Sequence, residues 1–283
     1  MNKLTHDELR RVLDGAIAVT RLAAVPVMQL FRQQPVVWSK DDEGNKTLVD
    51  SGAERVKNPV TEADLAADRL LQEGLLPLLE GSAWLSEESV DDHARLTADR
   101  VWIVDPIDGT REYVHGIPEF AISVALVEAG EPVLAVLYNP AQGVLFSAIR
   151  GLGCWRNGEA TNISTVASLD QATLLASRTE AGRGEFALFS EKMAIRSLGS
   201  TAWKLALVAG GEAQVYFTRK PRNEWDIAAG VLLCSEAGAE VTDLGGDAHV
   251  FNRANPLCRG VVTAQRELHQ TVLAMIHEVG TLE

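Results

Sequence analysis

Residues 101–110 read VWIVDPIDGT, an apolar segment that ends in two carboxylates, a glycine and a threonine. Its first four residues are typical of a buried strand, and Pro106 is expected to end that strand because proline lacks a backbone donor. Asp105 and Asp108 are three residues apart, so a turn can direct both carboxylates and the Ile107 carbonyl at one point. Oxygen ligands of this kind suit Mg²⁺ or Mn²⁺. The stretch predicts a metal site, although an ordinary Asp-Pro turn would have the same sequence in isolation.

The end of this stretch also suits an anion. Gly109 lets the backbone approach an anion closely, and the amides of Gly109 and Thr110 can hold a phosphate if a short helix begins there. Two further segments supply carboxylates, because Glu87 follows the short apolar segment 83–85 and Asp226 opens an apolar helix. A solvated acidic turn and a helix N-cap are the simpler explanations of these two residues.

Long motifs in several parts of the chain resemble those of the inositol monophosphatase superfamily, whose members are Mg²⁺-dependent, lithium-sensitive phosphatases. The motifs are NPVTEAD at 58–64, DPIDGT at 105–110 and WDIAAG at 225–230, with Gly199-Ser200 before the last of them. The resemblance covers residues 58–246 and implies an α/β fold, the layered α-β-α-β-α sandwich of the inositol monophosphatase type. It implies that the site lies between two halves. Residues 1–150 would carry most metal ligands, and residues 151–283 would complete the metal and substrate site.

The resemblance implies two metal sites that share one carboxylate. The ligands of the first Mg²⁺ would be Glu87, Asp105 and the Ile107 carbonyl, and those of the second would be Asp105, Asp108 and Asp226. Two or three Mg²⁺ ions per site are expected, with Mn²⁺ as a substitute. The chemistry of such a site does not depend on the family resemblance. A metal lowers the pKa of a bound water, and two metals can stabilise the attacking and leaving oxygens.

The catalytic residues implied by the resemblance are Thr110, Asp64 and Glu87. Thr110, oriented by Asp64 and working with Glu87, would activate a water, while the amides of Gly109 and Thr110 bind the phosphate. Asp64 also lies in the first turn of a predicted helix that Thr61 caps. A carboxylate is favoured there by the helix dipole, so helix capping explains Asp64 nearly as well as catalysis does.

The wording of the motifs bears on the substrate. Residues 108–113, DGTREY, resemble the DGTKEF of bacterial 3′(2′),5′-bisphosphate nucleotidases. Glu224, directly before the WDIAAG motif, points the same way. Residues 115–118, HGIP, are closer to the inositol and histidinol phosphatase pattern. We therefore expect hydrolysis of the 3′-phosphate of adenosine 3′,5′-bisphosphate to give AMP and phosphate. The alternatives are an inositol-1-phosphate or histidinol phosphate phosphatase and, outside enzymes, a nucleotide-binding protein that keeps the fold.

Several polar residues near the motifs are candidates for holding the rest of the substrate. Four cations flank the Ser200 and Asp226 segments and could anchor a second phosphate, although a surface charge cluster is the default explanation. These cations are Lys204, Arg219, Lys220 and Arg222. The expected substrate contacts are Asp108, Gly109, Thr110, Ser200, Lys204, Arg222 and Glu224.

Composition limits the partners and the compartment. The 283 residues include 26 basic and 39 acidic ones, a net charge of −13 that argues against general nucleic-acid binding. Three widely spaced cysteines fit a reducing cytoplasm better than a disulfide framework. The N-terminus lacks signal-peptide features, and we expect no apolar run of membrane length. The predicted partner is a small phosphomonoester, and a homodimer is considered because family members are often dimers.

The rest of the sequence predicts alternating helices and strands. The pattern THDE at 5–8 predicts a capping box before a long amphipathic helix, and Thr61 begins a second helix. Strands are predicted at 120–139, as a pair, and at 144–149, 173–177, 195–197, 213–217 and 241–243. Helices are predicted at 186–193, 202–209 and 267–278. Residues 39–55 predict a hairpin or loop near the active site, which leaves the roles of Lys40 and Lys57 open.

Overall fold

The computed structural model describes residues 3–41, 45–49, 58–91 and 93–279. The helices within these ranges are α1 (His6–Leu30), α2 (Glu62–Leu75), α3 (Thr110–Val114), α4 (Arg178–Gly182), α5 (Ala187–Ser190), α6 (Thr201–Ala209), α7 (Glu224–Glu236) and α8 (Arg266–Val279). The strands up to the end of the first large sheet are β1 (Val37–Lys40), β2 (Lys46–Leu48), β3 (Pro59–Thr61), β4 (Ala83–Ser86), β5 (Arg100–Asp108), β6 (Ala121–Glu128), β7 (Glu131–Asn139), β8 (Val144–Ile149), β9 (Gly153–Arg156) and β10 (Glu159–Thr161). The later strands are β11 (Thr173–Ser177), β12 (Ala194–Leu198), β13 (Val215–Thr218), β14 (Arg222–Asn223), β15 (Ala239–Thr242), β16 (Leu257–Cys258) and β17 (Val261–Gln265).

The elements form the five-layer α-β-α-β-α sandwich that the motifs imply. Helices α1 and α2 cover one face of a seven-stranded sheet of order β10-β9-β8-β7-β6-β5-β4. Helices α6 and α7 lie between this sheet and a five-stranded sheet of order β12-β11-β13-β17-β15. Helices α5 and α8 pack on the far face of the second sheet. Three hydrophobic cores fill the spaces between these layers.

The middle layer explains the composition of its two helices. All nine residues of α6 are buried, and α7 is apolar on most of its circumference. A helix that is hydrophobic all round must be covered on all sides, and here the two sheets cover it. By contrast α1, α2 and α8 are amphipathic and turn their polar faces outward. The apolar character of α7 therefore places Asp226, in its first turn, between the two sheets.

Sheet direction brings two predicted site segments together. Strands β4 and β5 are parallel neighbours, with Ser86 paired to Val104. Their carboxyl ends therefore lie at the same edge of the first sheet, where Glu87 directly follows β4 and Asp105 lies near the end of β5. The remaining neighbours in this sheet are antiparallel.

The predicted end of strand β5 at Pro106 was wrong. The strand continues to Asp108, which pairs with Ala121 after a register shift between Asp105 and Asp108. A β-bulge at Pro106 allows the strand to continue although proline has no backbone N–H to donate. The bulge also redirects the backbone next to the site. The short helix expected at Thr110 is present as α3.

Other differences concern the second half. Strand β17 was not predicted, although it lies between β13 and β15 and pairs antiparallel with both. The helix predicted at 186–193 is only the single turn α5, and α4 precedes it. The division at residues 150 and 151 stays a proposal, and the sheets favour a later boundary because β9 and β10 still belong to the first sheet.

Helix α1 is long and apolar enough to span a membrane by length and composition, whereas the sequence led us to expect no such run. Ala16, Ala23 and Val27 on one side of α1 are buried in the core shared with α2 and the first sheet. A core helix of a soluble protein passes the same test, so this one helix is weak evidence for a membrane span.

The segment 39–55 contains the predicted hairpin in part. Strands β1 and β2 are antiparallel, with Lys40 paired to Lys46, and β3 joins β1 on its other side. Residues 42–44 and 50–57, including Lys57, lie outside the described residues.

Candidate active site

Two carboxylates of the site belong to helix capping boxes. Asp64 and Asp226 are the third residues of α2 and α7. The amide of Thr61 donates to Asp64 Oδ2 at 2.8 Å, and that of Asn223 donates to Asp226 Oδ2 at 3.1 Å. The capping explanation of both residues is therefore valid, but it uses one oxygen of each carboxylate. The Oδ1 atom of each remains available for another contact.

Three carboxylates converge at the carboxyl ends of β4 and β5. One oxygen from each of Glu87, Asp105 and Asp226 lies within 4.8 Å of the others. Burial, followed by the charges of neighbouring carboxylates, raises the pKa of Asp105 and Asp226 well above the usual range. Buried carboxylates that repel one another in this way form a donor set suited to a hard divalent cation. The residues present therefore fit a metal of the predicted kind.

Asp108 is held beside this cluster by the start of α6. Its Oδ2 accepts hydrogen bonds from the Ser200 hydroxyl at 2.6 Å and from the Ala202 amide at 2.5 Å. The Ser200 hydroxyl also accepts from the Trp203 amide at 2.9 Å, so it caps α6 at the same time. Ser200 is thereby engaged in fixing Asp108, and only Asp108 Oδ1 is left for a cation.

Thr110 lies between Asp64 and the Ile107 carbonyl. Its hydroxyl is 3.1 Å from Asp64 Oδ1 and 3.0 Å from the Ile107 oxygen. A hydroxyl has one proton, so it donates to one of these acceptors at a time and keeps its lone pairs for a third partner. Burial raises the pKa of Asp64 to about 7, against the hydrogen bonds from Thr61. The structure thus brings together the predicted Thr110 and Asp64.

Gly109 turns the chain from β5 into α3 where only glycine fits. Its φ is +101°, a left-handed conformation that other residues rarely adopt. A Cβ at this position would lie 2.9 Å from the Glu119 carbonyl oxygen and 3.1 Å from Ser200 Cβ. The backbone at Gly109 therefore stands at close contact with two other segments of the site.

These residues line a cleft of about 300 Å³. Its wall includes Glu87, Asp108 and Asp226 together with Gly109 and Thr110. Asp64 and Asp105 are buried beside this wall, at 2% and 1% exposure. Residues 177–179, where α4 begins, and residues 198–201 also line the cleft.

The predicted substrate cations separate into different environments. Lys204 lines the cleft, but its ammonium group donates to the carbonyls of Leu198, Gly199 and Ser200 at 3.4, 3.1 and 2.5 Å. All three donors of a lysine are then engaged, so Lys204 supports this loop, and its contact with the substrate stays a prediction. Burial lowers its pKa to about 8.

Only Arg222 of the remaining three lines the cleft. Its Nη2 donates to Glu180 Oε1 at 3.0 Å, and its Nη1 donates to the Pro221 carbonyl at 3.2 Å. Burial favours a lower pKa for Arg222, but Tyr216, Asp226 and Glu180 outweigh it, so the guanidinium stays charged.

The other polar candidates point elsewhere. Arg219 donates to the Glu185 carbonyl and Lys220 pairs with the Glu185 carboxylate, away from the residues that line the cleft. Glu224 is fully buried and accepts hydrogen bonds from the amides of Asn252 and Arg253. Its carboxylate therefore anchors a neighbouring loop, and the predicted substrate contact of Glu224 is not supported.

Lys40 connects the β1–β2 hairpin to the carboxylate cluster of Glu87, Asp105 and Asp226 by pairing with Glu87. Its Nζ lies 3.3 Å from Glu87 Oε1 and 2.8 Å from Glu88 Oε1, and it also donates to the Glu87 carbonyl. Burial lowers the pKa of Lys40, but Glu87 and Glu88 outweigh burial and hold it above the ordinary value. Lys40 thus neutralises part of the acidic charge at this end of the site.

The sequence interpretation missed two carboxylates, Asp68 and Glu180, that hold other residues of the site in position. Asp68 accepts hydrogen bonds from the Ser86 and Ser89 hydroxyls at 2.5 and 2.7 Å, and so holds both ends of the segment that contains Glu87. Its spacing of four from Asp64 on one helix face was a usable signal. The second is Glu180, which had no signal beyond an acidic residue in a short helix.

Comparison with known proteins agrees with this arrangement. The model of the inositol monophosphatase family matches residues 8–281. A fructose-1,6-bisphosphatase/inositol-1-monophosphatase of Thermotoga maritima is 35% identical over 225 residues, which are 79% of this chain and 84% of that protein. The 3′(2′),5′-bisphosphate nucleotidase CysQ of Escherichia coli K12 is 32% identical over 239 residues, 83% of this chain and 92% of its own. A solved structure of a Thermotoga maritima IMPase has a TM-score of 0.79 at 31% identity and covers 94% of this chain and 97% of that one.

Fold and cluster define a metal-dependent phosphatase of the layered α/β type. The chain belongs to the inositol monophosphatase family. Its relatives include both bisphosphate nucleotidases and inositol monophosphatases, so membership fixes the phosphatase class and not the substrate.

Proposed function

We propose that the protein is a Mg²⁺-dependent phosphomonoesterase that removes the 3′-phosphate of adenosine 3′,5′-bisphosphate. The observation that carries the proposal is one cleft whose lining includes carboxylates of the buried cluster and also a permanently charged guanidinium, that of Arg222. The carboxylates suit the chemistry of any phosphomonoester. Arg222 suits a substrate that has a second anionic group.

In this proposal Glu87, Asp105 and the Ile107 carbonyl would hold the first Mg²⁺, and Asp105, Asp108 and Asp226 would hold the second. When bound, the metals lower the pKa of a coordinated water and offset the charge of the phosphate. The chain contributes four carboxylates and a carbonyl to this site, and Lys40 offsets only part of their charge. Asp68 and Ser200 fix the segments that contain Glu87 and Asp108.

Thr110 acts as the residue that orients the attacking water. When its proton is donated to ionised Asp64, the lone pairs of the Thr110 oxygen can accept a hydrogen bond from that water. Glu87 supplies a second acceptor on the same wall of the cleft. The amides of Gly109 and Thr110, at the start of α3, bind the phosphate that is transferred.

Arg222 anchors the second phosphate. A guanidinium has five N–H donors, and within the described residues its hydrogen bonds go to Glu180 and to Pro221. Donors therefore remain for an anion in the cleft. A phosphate is the best partner for the planar fork of an arginine.

The test compares kcat/KM for adenosine 3′,5′-bisphosphate and adenosine 3′-monophosphate in the presence of Mg²⁺. A charge-assisted contact is worth roughly 1.5 to 3 kcal/mol, so the bisphosphate should be preferred by about tenfold to a hundredfold. Arg222→Met should remove this preference, because it deletes the guanidinium proposed to bind the second phosphate. Lys220→Met is the matched control, since Lys220 pairs with Glu185 outside the cleft lining.

An inositol-1-phosphatase is the second candidate, favoured by an inositol-1-monophosphatase of Rhizobium meliloti that is 36% identical over 221 residues. Equal efficiency on both nucleotides, or better turnover of inositol 1-phosphate or histidinol phosphate, would support that branch instead. Binding of the nucleotides without any Mg²⁺-dependent turnover would support the non-enzyme alternative. We further propose that the enzyme is cytoplasmic, since Cys154, Cys234 and Cys258 are all free thiols, and that lithium inhibits it, as the family resemblance implies.

A further inference from the structure

We propose that Glu180 is the positioning residue for Arg222 and that it thereby determines the preference for a substrate with a second anionic group. This inference rests on the proposed function, because it explains how the anchor of the second phosphate is held. It assigns the preference to helix α4, which contributes none of the proposed metal ligands.

Helix α4 joins the two sides of the cleft through opposite charges. Arg178 lines the cleft and pairs with Glu119 at 2.6 Å and, more distantly, with Glu112 at 3.4 Å. Glu180, two residues further on, points to a different side and pairs with Arg222 at 3.0 Å. The first half of this short helix is therefore held by two ion pairs, and its start lines the cleft.

Glu180 is buried, and among the described residues its carboxylate accepts hydrogen bonds from two side chains, Thr218 and Arg222. The residue is 3% exposed, and its Oε1 accepts from the Thr218 hydroxyl at 3.1 Å and from Arg222 Nη2 at 3.0 Å. Thr218 is itself fully buried at the end of β13. A buried carboxylate is costly unless it is paired and hydrogen-bonded, so this geometry leaves the ion pair little freedom.

The local sequence would also allow the Glu180 side chain to bond back to Ser177. The direction that this side chain takes is therefore informative. Ser177 caps α4 and accepts a hydrogen bond from the Glu180 amide, as in the pattern of a capping box. In a capping box the glutamate side chain reaches back to the capping residue, as Asp64 and Asp226 do in α2 and α7. The Glu180 carboxylate instead contacts a residue 42 positions away.

Arg222 needs this restraint because other carboxylates also act on its guanidinium. The charges of Asp226 and Asp108 act on its guanidinium as well as that of Glu180. Without Glu180, the guanidinium would be drawn to these two carboxylates. The guanidinium would then no longer be available to bind the second phosphate. Glu180 therefore keeps the cation on the substrate side of the cleft.

The experiment measures kcat and KM of the full-length protein with Mg²⁺ on adenosine 3′,5′-bisphosphate and adenosine 3′-monophosphate. Glu180→Gln should lower the ratio of the two kcat/KM values about tenfold, mainly through a higher KM for the bisphosphate, with the monophosphate unchanged. Glu185→Gln is the control, because Glu185 pairs with Lys220 on the outside of the same region. It should leave the ratio as in the wild type.

A double variant separates positioning from general damage. If Glu180 acts through Arg222, then Glu180→Gln in an Arg222→Met background should cause no further loss of the ratio. Should Glu180→Gln fail to fold, Glu180→Asp retracts the carboxylate by one methylene and should also lower the ratio. An unchanged ratio in the folded Gln or Asp variant would overturn the inference.

The two proposals fail in different ways. If the wild type has no preference for the bisphosphate, the proposed function fails, whatever Glu180 does. If the wild type has the preference and Arg222→Met removes it, but Glu180→Gln leaves it intact, the proposed function stands and only the role of Glu180 is wrong. An additive loss in the double variant would likewise contradict an action through Arg222.

Discussion

Asp64 combines a structural and a chemical contact on separate oxygens of one carboxylate. Its Oδ2 caps α2 through Thr61, and its Oδ1 accepts from Thr110. A substitution that removes the side chain would lose both contacts. A substitution that keeps one acceptor oxygen would lose only one of the two contacts. The contribution of each contact can therefore be measured separately.

Asp64→Asn should retain the cap through its amide oxygen, whereas its NH₂ group cannot accept the Thr110 proton. We expect kcat to fall with little change in thermal stability. Asp64→Ala should lose the same activity and, in addition, about 0.5 to 2 kcal/mol of stability, the usual cost of deleting a helix cap. Denaturant unfolding and steady-state kinetics on both variants check this. Equal stability of the two variants would contradict the capping role.

Local patterns made residues of this kind predictable. A capping box spans four residues, and a ligand motif such as residues 105–110 is continuous, so its geometry is set by neighbours in the sequence. The pair of Glu180 and Arg222 is set by the order of strands in the second sheet, which the sequence did not reveal. Lys204 and Glu224 are also close to the motifs in sequence, but their charged groups bond to the backbone, Lys204 to the Ser200 carbonyl and Glu224 to the Arg253 amide.

The turn from β5 into α3 is the element on which the site depends most directly. It contains the bulge after Asp105, the Ile107 carbonyl and the left-handed Gly109. The sequence predicted a turn at this place from the proline and the glycine. It did not predict that β5 resumes its pairing at Asp108, because a bulge depends on the neighbouring strand.

Gly109→Ala should destabilise the protein by at least about 1 to 3 kcal/mol, the cost of a non-glycine residue in a strained backbone conformation. The contact of 2.9 Å with the Glu119 carbonyl adds to this, since a backbone oxygen cannot move aside easily. Gly143→Ala is the control: its φ is +67°, with nothing within 4 Å of the added Cβ. Thermal unfolding and kcat of both variants check the prediction. A loss no greater than that of Gly143→Ala would mean that the close contact is unimportant.

The whole molecule brings its carboxylates from separate layers. Asp64 comes from the first helical layer, Glu87, Asp105 and Asp108 from the first sheet, and Asp226 from the middle layer. The five-layer arrangement was predictable because the motifs resemble one family along most of the chain. The order of strands in the second sheet was not, since β17 has no motif of its own.

Removal of divalent metal should destabilise the protein more at high pH than at low pH. Burial and neighbouring charges raise the folded-state pKa of Asp105 and Asp226 above the ordinary value of 3.8. In the metal-free protein their contribution to stability is present below pH 3.8 and is lost as the pH rises through the folded pKa. Bound metal removes the repulsion, so the metal-loaded protein should change less.

The measurement is Tm with EDTA and with Mg²⁺ between about pH 5 and about pH 8. The difference should widen as the pH rises, and at a hundredfold excess of Mg²⁺ over its dissociation constant it should correspond to about 2.7 kcal/mol or more. Both protonated carboxylates and metal-bound ones avoid repulsion, which is why the gap should be smallest in acid. A gap that does not depend on pH would contradict the clustering of these carboxylates.

The capping bonds of Asp64 and Asp226 also provide two built-in spectroscopic reporters. The backbone amides of Thr61 and Asn223 are each bonded to one of these carboxylates. Any ligand that withdraws electron density from a carboxylate alters the magnetic shielding of the amide proton bonded to it. The two resonances belong to different layers, so the pattern of their movement distinguishes an occupant held on one side of the cleft from one that bridges both.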